Sequence, residues 1–362
     1  MGIKILDLNQ KKKWHEYLNR LEHRDIYFTP EYCEIHERNG EGKAQLYIYE
    51  EKENFVIYPF LLRNLNTLPH LKTVIEDYGE LYDITTPYGY GGPITNVKEK
   101  KRVKELLSLF SISFKNYCKT SNIITEFVRF HPLYQNQECY PEIEKSYIRD
   151  TIYVDLTREY EEIWANYDTK NRNRIRKTRS YNLQIKHRNP QERSDFLKLY
   201  YATMERTGAK EYYHFSEAYF DNTFELLKDR IELIEVVCDK EKVVMSVIFM
   251  YGNKHIHYHL LGSDHEYLPL AINNYVVDYA IQWAKKQGFE SMHLGGGYTG
   301  NDDSLYKFKK HFNKTGALPF YVAKQIHNQK IYQELSSTVP RDVQGFFPVY
   351  RHADLLHVTS QG

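Results

Sequence analysis

The sequence predicts a mixed α/β (α+β) protein of two tandem domains, each with a mostly antiparallel mixed sheet flanked by helices. Its 362 residues are 41% hydrophobic and 27% charged, which is typical of a globular chain long enough for two domains. Short apolar runs of strand length alternate with stretches of helical periodicity. From Leu183 onward these signals follow the order β-α-α-β-β-β-α-β-α-β, and an order of ten elements is more specific than any one of them.

Composition excludes several classes of protein. A formal net charge of +1 gives no global attraction to nucleic acid or to an anionic membrane, so a basic site must be local. The cysteines are scattered without a C-x-x-C pair and no apolar leader begins the chain, which predicts reduced thiols and a cytoplasmic location. The longest apolar run, residues 243–251, is too short for a transmembrane segment. His255, His257 and His259 alternate along a strand without a flanking carboxylate or cysteine, so we expect no metal site.

The first domain is predicted at residues 1–148. Its expected elements are a hairpin, a helix and a buried strand, at residues 46–50 with 55–61, 103–117 and 123–130. The segment Thr86–Pro93 cannot be regular structure because it holds three glycines and two prolines. This order resembles a degenerate copy of the second half of the chain.

The second domain is predicted at residues 149–335, followed by a C-terminal tail at residues 336–362. A long helix at residues 159–180 is indicated by Trp164, Tyr167 and Asn171, which share one helical face. Ser216 can cap a later helix, and Gly288 can end another. The predicted strands are residues 149–156, 183–188, 231–237, 243–251, 255–261, 291–294 and 318–322. Besides the long helix, one helix is predicted to end near Gly208, another to follow Ser216, and two more to span residues 270–287 and 304–312.

A run of basic residues lies on the long helix. Residues 170–179 hold six basic side chains and no acid. Guanidinium groups on such a helix can bind phosphate bidentately. We therefore expect substrate contacts from four residues of the run: Asn171, Arg172, Arg176 and Lys177. The alternative is a solvated charged face.

Two glycine-rich segments are further candidates for a binding site. Gly295, Gly296 and Gly297 remove every Cβ from a strand end, and the helix that follows carries Lys307 and Lys309. This pattern predicts a pocket for an anionic group, and the alternative is a structural turn before a solvated helix. The other glycine-rich segment is Thr86–Pro93. It either offers open backbone amides and two tyrosine hydroxyls to a ligand or forms a tight structural crossover. Its candidate ligand contacts are Tyr88, Tyr90, Gly91 and Gly92.

These motifs, in this order, resemble the Fem-type branch of the GNAT acyltransferase superfamily. The resemblance covers about residues 30–335 and rests on four segments: Gly91-Gly92-Pro93, residues 171–177, residues 200–206, and Leu294-Gly-Gly-Gly297 with residues 304–309. It implies two tandem GNAT-like domains. It also implies that the fourth and fifth strands of the second domain, here residues 255–261 and 291–294, splay apart and hold the acyl donor between them.

The resemblance implies an acyltransferase or aminoacyltransferase that forms an amide on an amine of a cell-wall or surface-polysaccharide precursor. Fem-type enzymes transfer amino acids from aminoacyl-tRNA onto peptidoglycan precursors. The donor stays open between acyl-CoA and aminoacyl-tRNA, because residues 262–269 carry acids in place of the glycine-rich loop of ordinary GNAT enzymes. No bound cofactor is expected, and the acceptor would be a small nucleotide-linked sugar or peptide. The competing interpretation is a non-catalytic RNA- or glycan-binding module that retained the fold.

Amide formation requires the enzyme to orient two substrates, accept a proton and stabilise an oxyanion. Candidates for the base are Glu205, Asp303 or the acceptor itself. Tyr213 and Tyr258 can carry protons or can be structural tyrosines. Arg206, like the two lysines after the glycines, is expected to bind phosphate or carboxylate.

Overall fold

A computed structural model describes residues 2–210, 213–238, 241–298, 303–340, 345–352 and 355. The chain separates into two compact units. Unit 1 comprises Met1–His23, Tyr27–Ile148 and Phe320–Gly362, and unit 2 comprises Arg24–Ile26 and Arg149–Pro319. None of the described helices is long and apolar enough to cross a bilayer.

The described ranges contain strands and α-helices in alternation, as the sequence predicts. The strands are β1 (Gly2–Leu6), β2 (Lys43–Glu51), β3 (Asn54–Asn64), β4 (Tyr82–Thr85), β5 (Ile94–Thr95), β6 (Ile123–Arg129), β7 (Lys145–Asp155), β8 (Gln184–Arg188), β9 (Ile231–Val237), β10 (Val243–Tyr251), β11 (His255–Ser263), β12 (Ser291–Gly296) and β13 (Ala317–Ile326). The helices are α1 (Lys11–Leu18), α2 (Pro30–Arg38), α3 (Lys72–Ile75), α4 (Lys100–Thr120), α5 (Tyr160–Asn166), α6 (Thr169–Thr178), α7 (Ser194–Thr207), α8 (Glu217–Leu226), α9 (Ile272–Lys286), α10 (Ser304–Lys310) and α11 (Gln329–Ser337).

Unit 1 is built on a sheet in which β1, β2, β3, β4 and β6 are neighbours and Val322–Ile326 of β13 pairs with β6. The pairings are antiparallel except for β4 with β6, which is parallel. Helix α4 packs on this sheet through an aromatic core, in which Tyr47 contacts Phe114 edge-to-face at 4.8 Å between ring centroids. Alternating apolar residues on β2 and β3 supply the buried face of this core.

Unit 2 has the sheet order β7-β12-β11-β10-β9-β8. Every neighbouring pair is antiparallel except β11 with β12. Helix α9 covers one face through Val276, Ala280 and Ile281, which lie at helical spacing and are buried. The mixed α/β class with mostly antiparallel sheets is confirmed.

The predicted helix 159–180 is two helices, which corrects the sequence-based assignment. Tyr167 and Asp168 have extended backbone, with ψ of 150° and 143°, between α5 and α6. The Asp168 carboxylate accepts the amide of Lys170 at 2.8 Å and caps α6. The Tyr167 hydroxyl donates to the buried Asp278 at 3.1 Å. An N-cap and a buried hydrogen bond therefore interrupt an apolar stripe that looks continuous in the sequence.

The end of the second domain also differs from the predicted residue 335. Unit 2 ends at Pro319, and the chain from Phe320 belongs to unit 1. The reason is strand pairing: Val322 to Ile326 pair with β6. Leu335 of α11 then packs in a core cluster with Ile124 and Tyr350, so part of the predicted 336–362 tail contributes to the core of unit 1.

Candidate functional site

The parallel pair β11 and β12 opens into a gap. The two strands pair only at His255–Ser291, Ile256–Met292 and His257–His293. Beyond these pairs, the register of β11 shifts against β10 so that Phe249 faces Tyr258, and the register of β12 shifts against β7 after His293. Each strand continues along its outer neighbour and not along the other. The separation of the fourth and fifth strands that the Fem-type resemblance implies is therefore present in unit 2.

The three consecutive glycines at the end of β12 make room for three charged side chains of the protein. A Cβ on Gly295 would lie 3.2 Å from the Nζ of Lys309, and one on Gly296 would lie 2.9 Å from the Cδ of Arg149. A Cβ on Gly297 would overlap the carboxylate of Asp303. Gly295 also has a φ of +76°, which side chains rarely adopt. The glycines thus allow Lys309, Arg149 and Asp303 to approach the end of the strand.

Lys309 is the central residue of this group. It is 7% exposed, and its Nζ donates a hydrogen bond of 2.7 Å to the carbonyl oxygen of Gly296. The ammonium lies 6.0 Å from the ring centroid of Tyr258. Burial lowers the pKa of Lys309 to about 7; Asp303 opposes this shift and Arg149 adds to it. Near neutral pH, the Lys309 amine is consequently divided between its charged and neutral forms.

Asp303 and Arg149 fix the chain around Lys309. The Asp303 carboxylate accepts the amide of Tyr306 at 2.8 Å and so caps α10, the helix that carries Lys309. Arg149 donates to the carbonyl oxygen of Gly297 and to that of Tyr298, the latter at 3.1 Å. The position of the lysine is therefore set from both the helix and the strand.

Two tyrosines flank this group. The Tyr258 hydroxyl donates to the Asn273 side chain at 3.1 Å, and burial raises its pKa, so it stays protonated at neutral pH. Tyr298 is 56% exposed. Its pKa is raised by burial first and then by Asp303 and Tyr213, while Arg206 opposes the rise. The pKa of the Tyr298 hydroxyl thus responds to three neighbouring residues: Tyr213, Arg206 and Asp303.

A cavity of about 190 Å³ lies at the start of α9, and Asn273, the hydrogen-bond partner of Tyr258, is one of the residues that line it. Its lining includes Ala271, Ile272 and Asn273, together with Phe308 of α10. No side chain caps α9, and the positive end of its helix dipole favours an anion. Asp264, which also lines the cavity, has its charge paired with Lys242 at 2.8 Å.

The structure gives two of the four predicted residues of the basic run protein partners. Arg172 donates to the carbonyl oxygens of Ala165, at 3.0 Å, and of Tyr167, so it closes the C-terminal end of α5. Asn171 is buried, donates to the carbonyl oxygen of His311 at 3.2 Å and accepts from Asn274 at 2.8 Å. Both residues hold elements of unit 2 together.

The other two residues of the run are exposed. The Arg176 guanidinium lies over the Trp164 ring, 5.6 Å from its centroid, and Lys177 is solvated on α6. These two side chains remain candidates for a phosphate contact.

The second glycine-rich segment belongs to unit 1, where its groups contact protein. The carbonyl oxygen of Tyr88 accepts from Tyr32 at 2.7 Å, and the Tyr90 ring contacts the Tyr27 ring edge-to-face at 5.2 Å. The Gly91 amide donates to the carbonyl oxygen of Arg129 at 2.7 Å. Gly92 has a φ of +90°, and a Cβ there would meet Phe130 at 2.9 Å. These contacts account for the two glycines as parts of a crossover.

The remaining candidates lie at the surface of unit 2. Glu205 and Lys307 are exposed, and in the described part of the chain no contact joins either one to Lys309. Arg206 reaches the hydroxyl of Ser263 at 3.5 Å. Sequence reasoning missed Arg149 and Asn273, because only the tertiary structure brings them to the glycines and to Tyr258.

Comparisons with known proteins agree with this geometry. The model of the acetyltransferase (GNAT) domain family matches residues 166–310. Among solved structures, FemX has a TM-score of 0.69 at 14% identity, over 92% of this chain and 99% of that chain. A conserved protein of unknown function from Bacteroides thetaiotaomicron has a TM-score of 0.54 at 12% identity, over 90% and 99%.

The C-terminal domain of a protein described as a lysylphosphatidylglycerol synthetase, from Agrobacterium fabrum, has a TM-score of 0.50 at 11% identity, over 81% of this chain and 86% of that chain. No curated protein matches the sequence significantly. The family match confirms the predicted acyltransferase domain, and the structural matches confirm the predicted fold. Residues 166–310 match the acetyltransferase (GNAT) domain family, in a chain that shares the fold of FemX.

Proposed function

We propose that the protein transfers an acyl or aminoacyl group to an amine of a cell-wall or surface-polysaccharide precursor and so forms an amide. The observation that carries this proposal is the buried Lys309, held against Gly296 where β11 and β12 separate. A lysine with a pKa of about 7 can accept a proton from an attacking amine at neutral pH.

The reaction needs no covalent enzyme intermediate. The acceptor nitrogen attacks the carbonyl carbon of an ester or thioester, a C–N bond forms, and the C–O or C–S bond breaks. The neutral amine of Lys309 takes the proton that the attacking nitrogen releases, and that proton then goes to the leaving oxygen or sulfur. The Tyr258 hydroxyl, which stays protonated, can donate a hydrogen bond to the developing oxyanion.

The donor would occupy the cavity at the start of α9. Acyl-CoA and aminoacyl-tRNA both carry phosphate groups, and the uncapped helix terminus suits phosphate. Arg176 and Lys177 on α6 would add contacts to more distant phosphates. The donor therefore remains one of these two classes.

The acceptor would approach the group around Tyr298. Arg206 can bind a phosphate or carboxylate of a nucleotide-linked sugar or peptide, and Tyr213 lies close to the same phenol. The Fem-type resemblance favours a cell-envelope precursor. Such precursors and both donors are found in the cytoplasm, which is the location we propose.

The test is to incubate the purified protein with acyl-CoA or with charged tRNA, each paired with a nucleotide-linked muramyl peptide or amino sugar. Mass spectrometry would detect an amide product, heavier than the acceptor by the acyl group, with only one class of donor. A protein that binds RNA or glycan tightly but forms no amide with any pair would be a binding module, and the proposal would be wrong.

A further inference from the structure

Helix α4 of unit 1 has an exposed face on the side opposite the protein core. Its inward residues, which include Phe110 and Phe114, pack into the aromatic core. On the other side, exposed residues recur at helical spacing, so their side chains share one face. We call this the outer face of α4, and its exposed residues are Lys101, Lys104, Glu105, Ile112, Lys115, Asn116 and Lys119.

The outer face of α4 is positively charged. Four of its residues are lysines, and in the part of the chain that the structure describes none of the four forms an ion pair. The only acid of the face is Glu105, whose carboxylate lies 3.4 Å from the guanidinium of Arg102. Because the whole chain has a formal net charge of only +1, this face is a local concentration of positive charge. The partner that complements it is an anionic surface.

An aliphatic side chain lies in the middle of this charge. Ile112 is 59% exposed and stands between Lys104 and Lys115 along the helix. The lysines at the two ends of the face, Lys101 and Lys119, are separated by about 27 Å at the rise of an α-helix. One flat surface can therefore contact the lysines and Ile112 together. Lysines beside an exposed aliphatic residue are typical of helices that lie in the interface of a bilayer.

The composition of the face favours a lipid surface over a nucleic acid. Proteins contact RNA and single-stranded DNA largely with planar guanidinium groups and with aromatic rings that stack on bases. In this described helix, the outer face has neither an arginine nor an aromatic residue. A bilayer offers diffuse headgroup charge, which ammonium groups can meet without a fixed geometry, and an apolar layer beneath it for an aliphatic side chain.

We propose that the outer face of α4 binds the surface of an anionic lipid bilayer. The four lysines would lie among the lipid phosphates, and Ile112 would insert below them. The helix would lie parallel to the membrane, as a peripheral contact made by unit 1. This inference does not depend on the transferase activity proposed for unit 2.

Cosedimentation of the full chain with lipid vesicles tests the proposal. Vesicles of equal parts phosphatidylglycerol and phosphatidylcholine should bind the protein, less tightly as salt rises, whereas pure phosphatidylcholine should not. The double variant Lys104→Gln with Lys115→Gln should bind about 25-fold more weakly, because each lysine near an anionic surface contributes about fivefold. The matched control, Lys198→Gln with Lys228→Gln, removes two exposed lysines of unit 2 and should bind as the wild type does.

The variant Ile112→Ser separates insertion from charge attraction alone. It should weaken vesicle binding about tenfold, and Ile112→Leu should restore it. All of these positions are exposed, so the variants should fold, which circular dichroism would check. Equal binding to both kinds of vesicle, equal losses in the two double variants, or unchanged binding in Ile112→Ser would overturn the proposal. Binding of a mixed-sequence RNA without binding of anionic vesicles would also overturn it and would identify a nucleic-acid surface.

Discussion

The Nζ of Lys309 donates a 2.7 Å hydrogen bond to the carbonyl oxygen of Gly296, so a buried amine is held at the end of a strand that has left its parallel neighbour. Gly295 leaves the space that the Nζ occupies. The glycine motif and the lysine therefore depend on each other, because the glycines leave room for the amine and accept its hydrogen bond. The proposed chemistry depends on the position of this amine and on its lowered pKa.

Replacing Lys309 by Met should remove most of the transferase activity. A positioned general base contributes about 10²- to 10⁴-fold to a rate, so kcat should fall by that amount. Lys310→Met changes the next, exposed residue of α10 and should retain activity. Measured kcat values for both variants, with circular dichroism as a check on folding, would contradict the assignment if they fell equally.

Stability should depend on pH through Lys309. The pKa of this group is about 7 in the folded protein and near the ordinary value of 10.5 when unfolded. Between these values the unfolded chain binds more protons, so the free energy of unfolding should rise with pH, by roughly 1–3 kcal/mol from neutral pH to about pH 9. Below the folded pKa this contribution is constant.

Lys309→Met should lose that part of the pH dependence and should be more stable than the wild type at neutral pH. Urea unfolding of both proteins at two pH values gives the difference. Identical slopes in the two proteins would show that Lys309 has an ordinary pKa.

Gly295→Ala should affect catalysis and stability, whereas Gly288→Ala should affect stability alone. The φ values are +76° and +86°, so an alanine costs about 1–2 kcal/mol of strain at either position. Only at position 295 would the new Cβ meet the Nζ of Lys309, whereas position 288 has open space. Both variants should therefore have a lower melting temperature, but only Gly295→Ala should have a lower kcat. An equal loss of kcat in the two variants would argue against the role of Gly295 in leaving room for Lys309.

Arg172→Lys should destabilise unit 2 without weakening donor binding. Lysine cannot reproduce the fork that reaches the carbonyl oxygens of Ala165 and Tyr167, and we expect a loss of about 1–2 kcal/mol. Lys177→Ala should leave melting unchanged and weaken a phosphate-bearing donor, more so at low salt. The opposite pattern, with Arg172→Lys binding weakly but melting normally, would restore Arg172 as a phosphate ligand.

Much of the fold could be predicted because local signals and tertiary structure agree. Strands β9 and β10 have the predicted bounds, since each is an apolar run of strand length beside turn residues. The break before α6 was missed because Trp164, Tyr167 and Asn171 continue one apolar face, and only the cap by Asp168 reveals that the helix restarts. The end of unit 2 was missed because the partner of β13 is far away in sequence.

The site was predicted in part for a similar reason. Glycines, lysines and Asp303 lie in one stretch of sequence, and their proximity follows from a strand, a turn and a helix. The sequence suggested that the glycines admit a ligand, whereas the structure shows them admitting side chains of the protein. Arg149 joins them through strand pairing, and the lowered pKa of Lys309 arises from burial; neither can be read from local sequence.

The pH dependence of kcat for the wild type, Asp303→Asn and Lys309→Met tests the central claim most directly. Asparagine caps a helix about as well as aspartate, so Asp303→Asn should keep α10 in place while removing a charge that raises the pKa of Lys309. In the wild type, we predict that kcat rises with pH through about pH 7. The rise should occur at lower pH in Asp303→Asn and should be absent in Lys309→Met. The same rising limb in all three proteins would contradict the account.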